Sequence, residues 1–595
     1  MQMKKILLVD RDTQFVKDVK ANLEKRAVSC ETATSAGEAL EKVKSRPDMI
    51  FLEVMLEEPT AGFRVVNELR NPYKDGEYSD IPIWIVSQIE GLTGLGYSKV
   101  AGTRLLPCEG FVSKPVSPDS LLTGVERWAD TRTTPGEKGN VREPARNMIL
   151  LCLNCGSSSV KYQLYNWDGS TAMARGTVER VTQPNSVCIH EVPDRETITI
   201  RKDCPSHAEA IKLVVETLMH PDHGVIRTLS DITAVGHRVV HGGETFTKSV
   251  VITEEAIEIF NDLVELAPLH NPPNILGIRA AKELLPDVPH VAVMDTAWHQ
   301  TMPEFAYIYA LPYSWYEKYK IRRYGFHGTS LLYVSRRAAV LLGKDPFACN
   351  LILCHIGNGV SINAVCNGVS YDTSMGFTPL EGLVMGTRAG DHDAAIDLYV
   401  MQKEGADPDA MNSLLNKKSG ILGITGKYID RRDVLEAVER GEKRAKLALD
   451  IETYRIRKYI GAYAAALGRV DAIVFTAGVG EMGDSIRAGA LDGLEFMGVR
   501  YDKRKNRIAK TRNGECDISA GDAGVRTLVI PTDEERVFIE DIVALFEKSK
   551  TGHNELAYHF QYPDYRNVLR RAAFEKECEK NAELSTVVAR IASGG

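Results

Sequence analysis

Over the first 130 residues, short apolar runs alternate with helical patterns. Strands are predicted over Lys5–Val9, 49–54, 81–86 and 110–112, with helices near 14–25 and 62–69. That alternation is the pattern of a parallel α/β sheet with helices on both faces. Residues 131–146 break it, holding two prolines and no apolar periodicity, and read as an interdomain linker. Beyond the linker, residues 148–163 (MILLCLNCGSSSVKYQ) run apolar strand, glycine-containing turn, apolar strand, and residues 351–365 (LILCHIGNGVSINAV) repeat the arrangement. A weak repeat of this kind points to two related halves, about 147–297 and 298–548. From 549 to 595 the chain turns polar, with a helix stop at Thr551-Gly552 and short helices within 569–591. This extension reads as a docking tail or a frayed end, without an assigned role.

Composition narrows the class. A chain of 595 residues exceeds what one core supports, so two or three domains are expected. Hydrophobic residues at 44% and charged residues at 26% exclude global disorder. The net charge of −7 comes without the basic stripe of a nucleic-acid binder, so no nucleic-acid partner is expected. Apolar runs are strand-sized and the N-terminus enters a strand without a signal-peptide core, so no membrane role is expected. Eleven cysteines, several inside apolar strands (Cys152, Cys354), fit the reduced thiols of a cytoplasmic protein better than disulfides or zinc.

Loops after parallel strands gather at the carboxyl edge of a sheet. In the first region these loops carry Asp10, Arg11 and Asp12, then Glu53, then Ser87, and finally Lys114-Pro115. Over residues 3–128 this resembles the receiver domain of two-component response regulators. The resemblance implies a doubly wound five-stranded parallel sheet, an acid pair that holds Mg²⁺, an Asp that accepts a phosphoryl group, and a Ser/Thr and a Lys that read it out. Two positions depart. Glu53 stands at the acceptor position and Arg11 at that of the second acid. Mg²⁺ needs several oxygens in tight octahedral geometry, and a pocket of Asp10 and Glu53 opposed by Arg11 and Lys114 is already near neutral. Residues 1–130 are therefore expected to form a receiver silent to phosphorylation, used for docking, dimerisation or a signalling partner. Two alternatives stay open: Glu53 imitates the phosphorylated state, or Asp12 replaces the lost acid.

The remaining chemistry lies within 147–548. Asn154-Cys155-Gly156-Ser157-Ser158-Ser159-Val160-Lys161 follows an apolar strand and offers backbone N–H groups and hydroxyls suited to a polyphosphate. In order come Gly236-His237-Arg238-Val239-Val240-His241-Gly242-Gly243, Met294-Asp295-Thr296, and Tyr324-Gly325-Phe326-His327-Gly328. His355-Ile356-Gly357-Asn358-Gly359, Gly386-Thr387-Arg388, Thr476-Ala477-Gly478-Val479-Gly480 and Pro531-Thr532-Asp533-Glu534 complete the series. Singly, such turns are mostly just turns and such arginines mostly surface ion pairs. Their number and their setting among glycines after apolar strands raise the functional reading.

Together they resemble the acetate kinase family, of the acetate and sugar kinase, Hsp70 and actin superfamily, from about Met148 to Phe546. The resemblance implies a duplicated actin-like ATPase fold of two lobes, and a homodimer. It implies reversible, direct in-line phosphoryl transfer from ATP to acetate, giving acetyl phosphate and ADP, with Mg²⁺ or alternatively Mn²⁺. Arg238 and Arg388 would hold the acetate carboxylate and the moving phosphoryl group, and His327 its equatorial oxygens. Asn154 would sit near the γ-phosphate and, with Glu534, at the metal; Asp295 would orient the acceptor or the metal. Ser157, Ser159, Lys161, His355, Asn358, Gly359, Gly478, Val479 and Gly480 would contact the nucleotide, with Asp430 and Arg432 near the adenosine. Val240, Leu269, Phe326 and Pro379 would receive the acetate methyl group.

Three departures from the family pattern are Cys155 for Ala, Leu331 for His, and Met482-Gly483 where Asn usually follows Glu481. Two other functions remain in play: a propionate or butyrate kinase, and a signalling protein whose kinase module only binds nucleotide.

Overall fold

In the computed structural model the described residues are 5–57, 61–69, 78, 81–89, 108–118, 120–121, 148–267, 270–546 and 556–592. The linker expected over 131–146 lies outside them. The chain divides into two compact units, one built on the N-terminal sheet and one holding most residues from Ile149 onward.

The N-terminal sheet has five parallel strands: β1 (Lys5–Val9), β2 (Ser29–Ala33), β3 (Met49–Leu52), β4 (Ile83–Ser87) and β5 (Gly110–Ser113), in the order β2-β1-β3-β4-β5. Along β1, Leu7 and Val9 enter one buried cluster while Ile6 and Leu8 enter another. Both faces are covered, so the strand reads as an unbroken apolar run. β2 escapes that signal. It is an edge strand, Ser-Cys-Glu-Thr-Ala, and only Ala33 is buried.

The large unit contains two sheets. The first runs β10-β9-β8-β7-β6-β11-β13-β12, from β6 (Ile149–Cys155), β7 (Ser159–Asn166), β8 (Thr171–Glu179), β9 (Val187–Glu191), β10 (Ile198–Arg201), β11 (Ile232–Val239), β12 (Val250–Val251) and β13 (His290–Met294). The second runs β16-β15-β14-β17-β19-β18, from β14 (Leu351–Ile356), β15 (Val360–Cys366), β16 (Val369–Thr373), β17 (Ala472–Thr476), β18 (Cys516–Asp517) and β19 (Arg526–Val529).

In each sheet an antiparallel meander (β6-β7-β8, β14-β15-β16) continues into two parallel strands (β11 and β13, β17 and β19) and ends on an antiparallel edge strand. The hairpin repeat in the sequence is thus the first part of a duplicated six-strand unit, to which the first lobe adds β9 and β10. Along β14, Ile352, Cys354 and Ile356 enter one core and Leu351 and Leu353 the other, so this sheet too is buried on both faces. Trp298 packs in the second of those cores.

The helix Glu534–Phe546 ties the lobes: Val537 sits in the second-lobe core, Arg536 Nη1 donates to Tyr165 Oη (2.6 Å), and Asp541 accepts from Ser249 Oγ (2.6 Å). The extension is not frayed over 556–592. Tyr558 and Phe560 are fully buried and stacked at 4.7 Å, Arg337 donates to the Phe560 carbonyl (2.8 Å), and a helix follows over Val568–Lys580. Its polar composition hid a few aromatic anchors.

All eleven cysteines are free thiols. Cys152 and Cys155 have CxxC spacing, but residues three apart in an extended strand face opposite sides and cannot chelate together. Among the described residues no helix is long and apolar enough to cross a membrane.

Candidate active site

The carboxyl edge of the N-terminal sheet is already filled by its own side chains. Glu53 Oε1 accepts from the Ser87 hydroxyl and from the N–H groups of Val54 (2.8 Å) and Met55 (3.1 Å), while Oε2 pairs with Lys114 Nζ (2.8 Å). Asp10 pairs with the same Lys114 Nζ (2.5 Å). Burial raises the Asp10 carboxyl above its usual value, with Lys114 pulling the other way.

One expectation changes here. Arg11 does not oppose this pocket; its Nη1 donates to the Leu56 carbonyl (3.0 Å) from an exposed position. The Asp12 carboxylate caps the helix Thr13–Lys25, with Oδ1 accepting from Gln14 N and Phe15 N. The cap satisfies two orphan donors and holds Asp12 below its usual range.

In the large unit the glycine-set residues converge. Arg238, on β11, directs Nε (3.0 Å) and Nη2 (2.6 Å) to the two oxygens of Asp295, which follows β13. β11 and β13 are hydrogen-bonded neighbours, which is why residues far apart in sequence form a bidentate pair. His327 precedes the helix Gly328–Leu342 in a left-handed conformation (φ 60°) that aims its ring at the β14–β15 hairpin. Its Nδ1 meets Ser361 Oγ at 2.9 Å, and its ring stacks on His355 at 3.9 Å. Gly359, in the hairpin turn, adjoins both groups: a Cβ there would lie 3.4 Å from His327 and 3.6 Å from Arg388 Nη1. Gly386 is tighter still, since a Cβ would strike Asn358 Oδ1.

Arg388 differs from Arg238 in one respect. Its Nη1 meets only the Pro379 carbonyl (3.4 Å) and Met385 Sδ (3.9 Å), and no carboxylate pairs with it among the described residues. Burial lowers its pKa from the ordinary value without a compensating anion. A half-buried guanidinium in that condition is a receptor for an anion. Both arginines act on His327, which burial, His355 and these cations keep neutral, well below the ordinary histidine value.

A further imidazole lies in the same field. Burial, Arg388 and Arg238 lower His270 to about 4. It was missed in the sequence because it precedes Asn271-Pro272-Pro273 with no flanking glycine; its only signal is its place just before a helix. Asn274, one turn on, was missed too. It accepts from Val240 N (3.1 Å) and donates to the Cys155 carbonyl (2.7 Å), joining two loops of the first lobe.

Val240 and Phe326 share one buried cluster, and Pro379 adjoins Arg388; Leu269 lies outside the described residues. Asn154 is the cross-strand partner of Lys161, and cross-strand partners share a face. Lys161 is within electrostatic reach of Glu534 and Glu535 at the helix start. Desolvation pushes Glu534 up to about 7; Arg238 opposes this, while Asp295 and Glu535 reinforce it. That crowding of carboxylates fits a divalent cation. Among the described residues no three His, Cys, Asp or Glu side chains form a metal cluster, and Mg²⁺ ordinarily takes one or two protein carboxylates, completing its shell with phosphate and water.

Gly478, Val479 and Gly480 lie in the short helix Ala477–Met482 that follows β17, the neighbour of β14. Ser157 sits in the β6–β7 turn and Ser159 begins β7, with Gly156 N closing the turn onto the Ser159 carbonyl (2.8 Å). Asp430 and Arg432 sit at the start of a helix. They pair with each other (2.6 Å) where Asp430 caps the helix Arg431–Glu439, and Arg432 is exposed. The residue between them, Arg431, is the one that reaches inward, with Nη1 beside Gly386 and Nη2 on buried Glu452 (2.8 Å).

Residues 149–540 match the profile of the Acetokinase family, and residues 6–126 match that of the response regulator receiver domain. The chain belongs to the acetate kinase family. An acetate kinase of Geobacter sulfurreducens is 57% identical over 418 residues, covering 70% of this chain and 99% of that protein. The crystal structure of the Porphyromonas gingivalis acetate kinase matches with a TM-score of 0.63 at 45% identity, over 66% of this chain and 98% of that one. A propionate kinase from Francisella tularensis matches with a TM-score of 0.61 at 39% identity, over 67% and 98%. The chain is a phosphotransferase with a carboxyl group as acceptor, fused behind a receiver domain; acetate kinases use ATP and generally a divalent metal.

The departures from the family pattern fall on supporting positions. Leu331 is fully buried in the second-lobe core, where an apolar side chain is at home. Met482 is partly exposed at the end of its helix. The Cys155 thiol occupies the space over Gly277, where a Cβ would collide with it.

Proposed function

We propose that the chain transfers the γ-phosphoryl group of ATP directly to acetate, reversibly, giving acetyl phosphate and ADP. An oxygen of the acetate carboxylate forms the new bond to phosphorus. The bond to the bridging oxygen of ADP breaks and its electron pair leaves with ADP. No general base is required, because acetate is ionised at neutral pH. The task left to the protein is to bring two anions together and neutralise them.

Arg388 carries this reading: a guanidinium without a carboxylate partner among the described residues, beside Gly359 and His327. Arg238, fixed by Asp295 through Nε and Nη2, keeps Nη1 for the second anion. In the tautomer whose Nδ1 accepts from Ser361, the neutral His327 ring carries its proton on Nε2 and donates a hydrogen bond to the equatorial oxygens. Mg²⁺, or Mn²⁺ in its place, would be held by Glu534 and Asn154 and would neutralise the β- and γ-phosphates. Val240 and Phe326 supply a small apolar lining, which favours acetate over propionate by about 1–3 kcal/mol. The helix Ala394–Glu404 buries none of its residues and exposes Ile396, Leu398 and Tyr399, an apolar face that a second copy covers in a homodimer. A monomer by sedimentation equilibrium would remove that assignment.

The N-terminal domain acts as a receiver silent to phosphorylation that serves docking. Its support is the engagement of Glu53, Asp10 and Asp12 by Ser87, Lys114 and backbone N–H groups. The same contacts support a Glu53 that holds the domain in one fixed state.

Hydroxamate trapping with ATP and acetate, propionate or butyrate tests the enzyme reading. Acetate should turn over fastest, and Arg388→Ala should lower kcat by at least about 100-fold. An inert parent chain, or an Arg388→Ala variant with unchanged turnover, refutes it.

A further inference from the structure

The C-terminal segment reaches back to the loop that carries Glu534. The Pro531 carbonyl accepts from Arg570 Nη1 (3.0 Å) and the Thr532 carbonyl accepts from Arg570 Nη2. Asp533 Oδ2 accepts from Asn567 Nδ2 (2.7 Å) and lies 3.9 Å from Arg570 Nε. All three residues before Glu534 are thus held by two side chains that come from beyond residue 556. On its other side the loop is held by the glycine-rich turn, where Glu481 Oε1 accepts from Thr532 N (3.3 Å).

Both side chains have a fixed base. Asn567 caps the helix Val568–Lys580 by accepting from Arg570 N. Farther along, Glu577 accepts from Thr511 Oγ1 (2.5 Å) and Asn513 Nδ2 (2.7 Å), and Phe574 lies against Gly514, where any Cβ would strike its ring. Upstream, Tyr558 and Phe560 are buried in the second-lobe core. A planar guanidinium has donors spaced to meet two successive carbonyls at once, which a lysine ammonium cannot do from one position.

We propose that Asn567 and Arg570 are positioning residues for phosphoryl transfer. They hold Pro531-Thr532-Asp533 so that the Glu534 carboxylate is presented to the divalent cation. The inference rests on the assignment of Glu534 as metal ligand. Groups that orient a metal ligand typically alter metal affinity by about 10- to 100-fold when removed.

The test uses the full chain with Arg570→Ala, Arg570→Lys and Asn567→Ala. Arg571→Ala is the control: it is the next residue on the same helix, and its recorded partner is exposed Glu575. Two quantities are read: amide hydrogen exchange at residues 532–536 in metal-free protein, and the metal concentration giving half-maximal rate at fixed ATP. Arg570→Ala should speed the exchange and raise the metal requirement about 10- to 100-fold, while KM for acetate stays within about twofold. Asn567→Ala should shift both in the same direction by less, Arg570→Lys should fail to restore them, and Arg571→Ala should match the parent. If Arg570→Ala does not fold, Asn567→Ala and Arg570→Lys carry the comparison.

Faster exchange with an unchanged metal requirement would reduce the contacts to a structural role and overturn the proposal, as would no change in either. Glu534→Gln separates the two levels. If it raises the metal requirement and Arg570→Ala does not, the positioning role alone fails. If it leaves the requirement unchanged, the assignment of Glu534 fails.

Discussion

Arg238 and Arg388 are the same functional group in two electrostatic settings, and the difference is where the chemistry lies. Arg238 is locked to Asp295, whereas Arg388 has no carboxylate partner among the described residues. The imidazoles around them follow from the same field. Burial lowers His355 to about 4 and His270 to about 4, and holds His327 lower than its ordinary range. Because these folded-state values lie below the 6.5 of a free histidine, the unfolded chain binds more protons than the native one between about 4 and 6.5. Stability from this source is complete above 6.5 and is lost as the pH falls toward 4. The expected result is a urea midpoint that drops on going from about pH 7 to about pH 5, with labelled imidazole resonances of His327, His355 and His270 unshifted between about pH 6 and 8. His327 titrating near 6.5 would contradict a neutral His327 as hydrogen-bond donor. The sequence made Arg238, Arg388 and His327 visible through their flanking glycines, which are there because backbone comes close to side chains. His270 and Asn274 had no such flag, since they act from the start of an ordinary helix.

Among the elements, what could be read in advance tracks how completely each is buried. β1 and β14 are covered on both faces and stand out as apolar runs. β2 lies at an edge and reads as a polar loop. Asp12 and Asp430 each stand next to a motif, and in both cases the side chain caps a helix. The C-terminal extension shows the limit of composition as a guide, because its attachment rests on a few aromatic side chains in a polar stretch. Phe560 is fully buried, stacked on Tyr558 and tilted against Tyr333 at 4.9 Å. Phe560→Ala should therefore lower the stability of the kinase unit by about 3–5 kcal/mol. Val568→Ala, at a position 60% exposed, should change it by no more than about 0.5 kcal/mol. Denaturant unfolding of the full chain, followed at its kinase transition, measures both; equal effects would mean that the extension is not anchored through Phe560.

At the scale of the whole chain, a kinase whose product is an acyl phosphate is joined to a receiver domain, and acyl phosphates are reactive phosphoryl donors. The receiver is therefore on the same chain as the source of that product, and the question is whether its pocket can take the group. Three local facts support the reading that it does not. The acceptor position is Glu53, whose carboxylate is engaged by Ser87, Lys114 and two backbone N–H groups. The position of the second metal-binding acid is Arg11, and its guanidinium is turned to the Leu56 carbonyl. Asp12, the remaining acid nearby, is committed to a helix cap, and the cation beside Asp10 and Glu53 is Lys114, which their carboxylates hold above its ordinary pKa against the opposing effect of burial. A pocket that satisfies its own charge has little to offer a dication, and without one the phosphoryl oxygens are not neutralised. The full chain, turned over with ATP, acetate and Mg²⁺ and then trapped with borohydride, should carry no label at Glu53 by peptide mass analysis. The double variant Arg11→Asp, Glu53→Asp restores two oxygen ligands and the shorter acceptor, and it should become labelled under the same conditions. A label at Glu53 in the parent chain would overturn the silent reading. A double variant that binds Mg²⁺ yet stays unlabelled would place the block elsewhere in the domain than in these two substitutions.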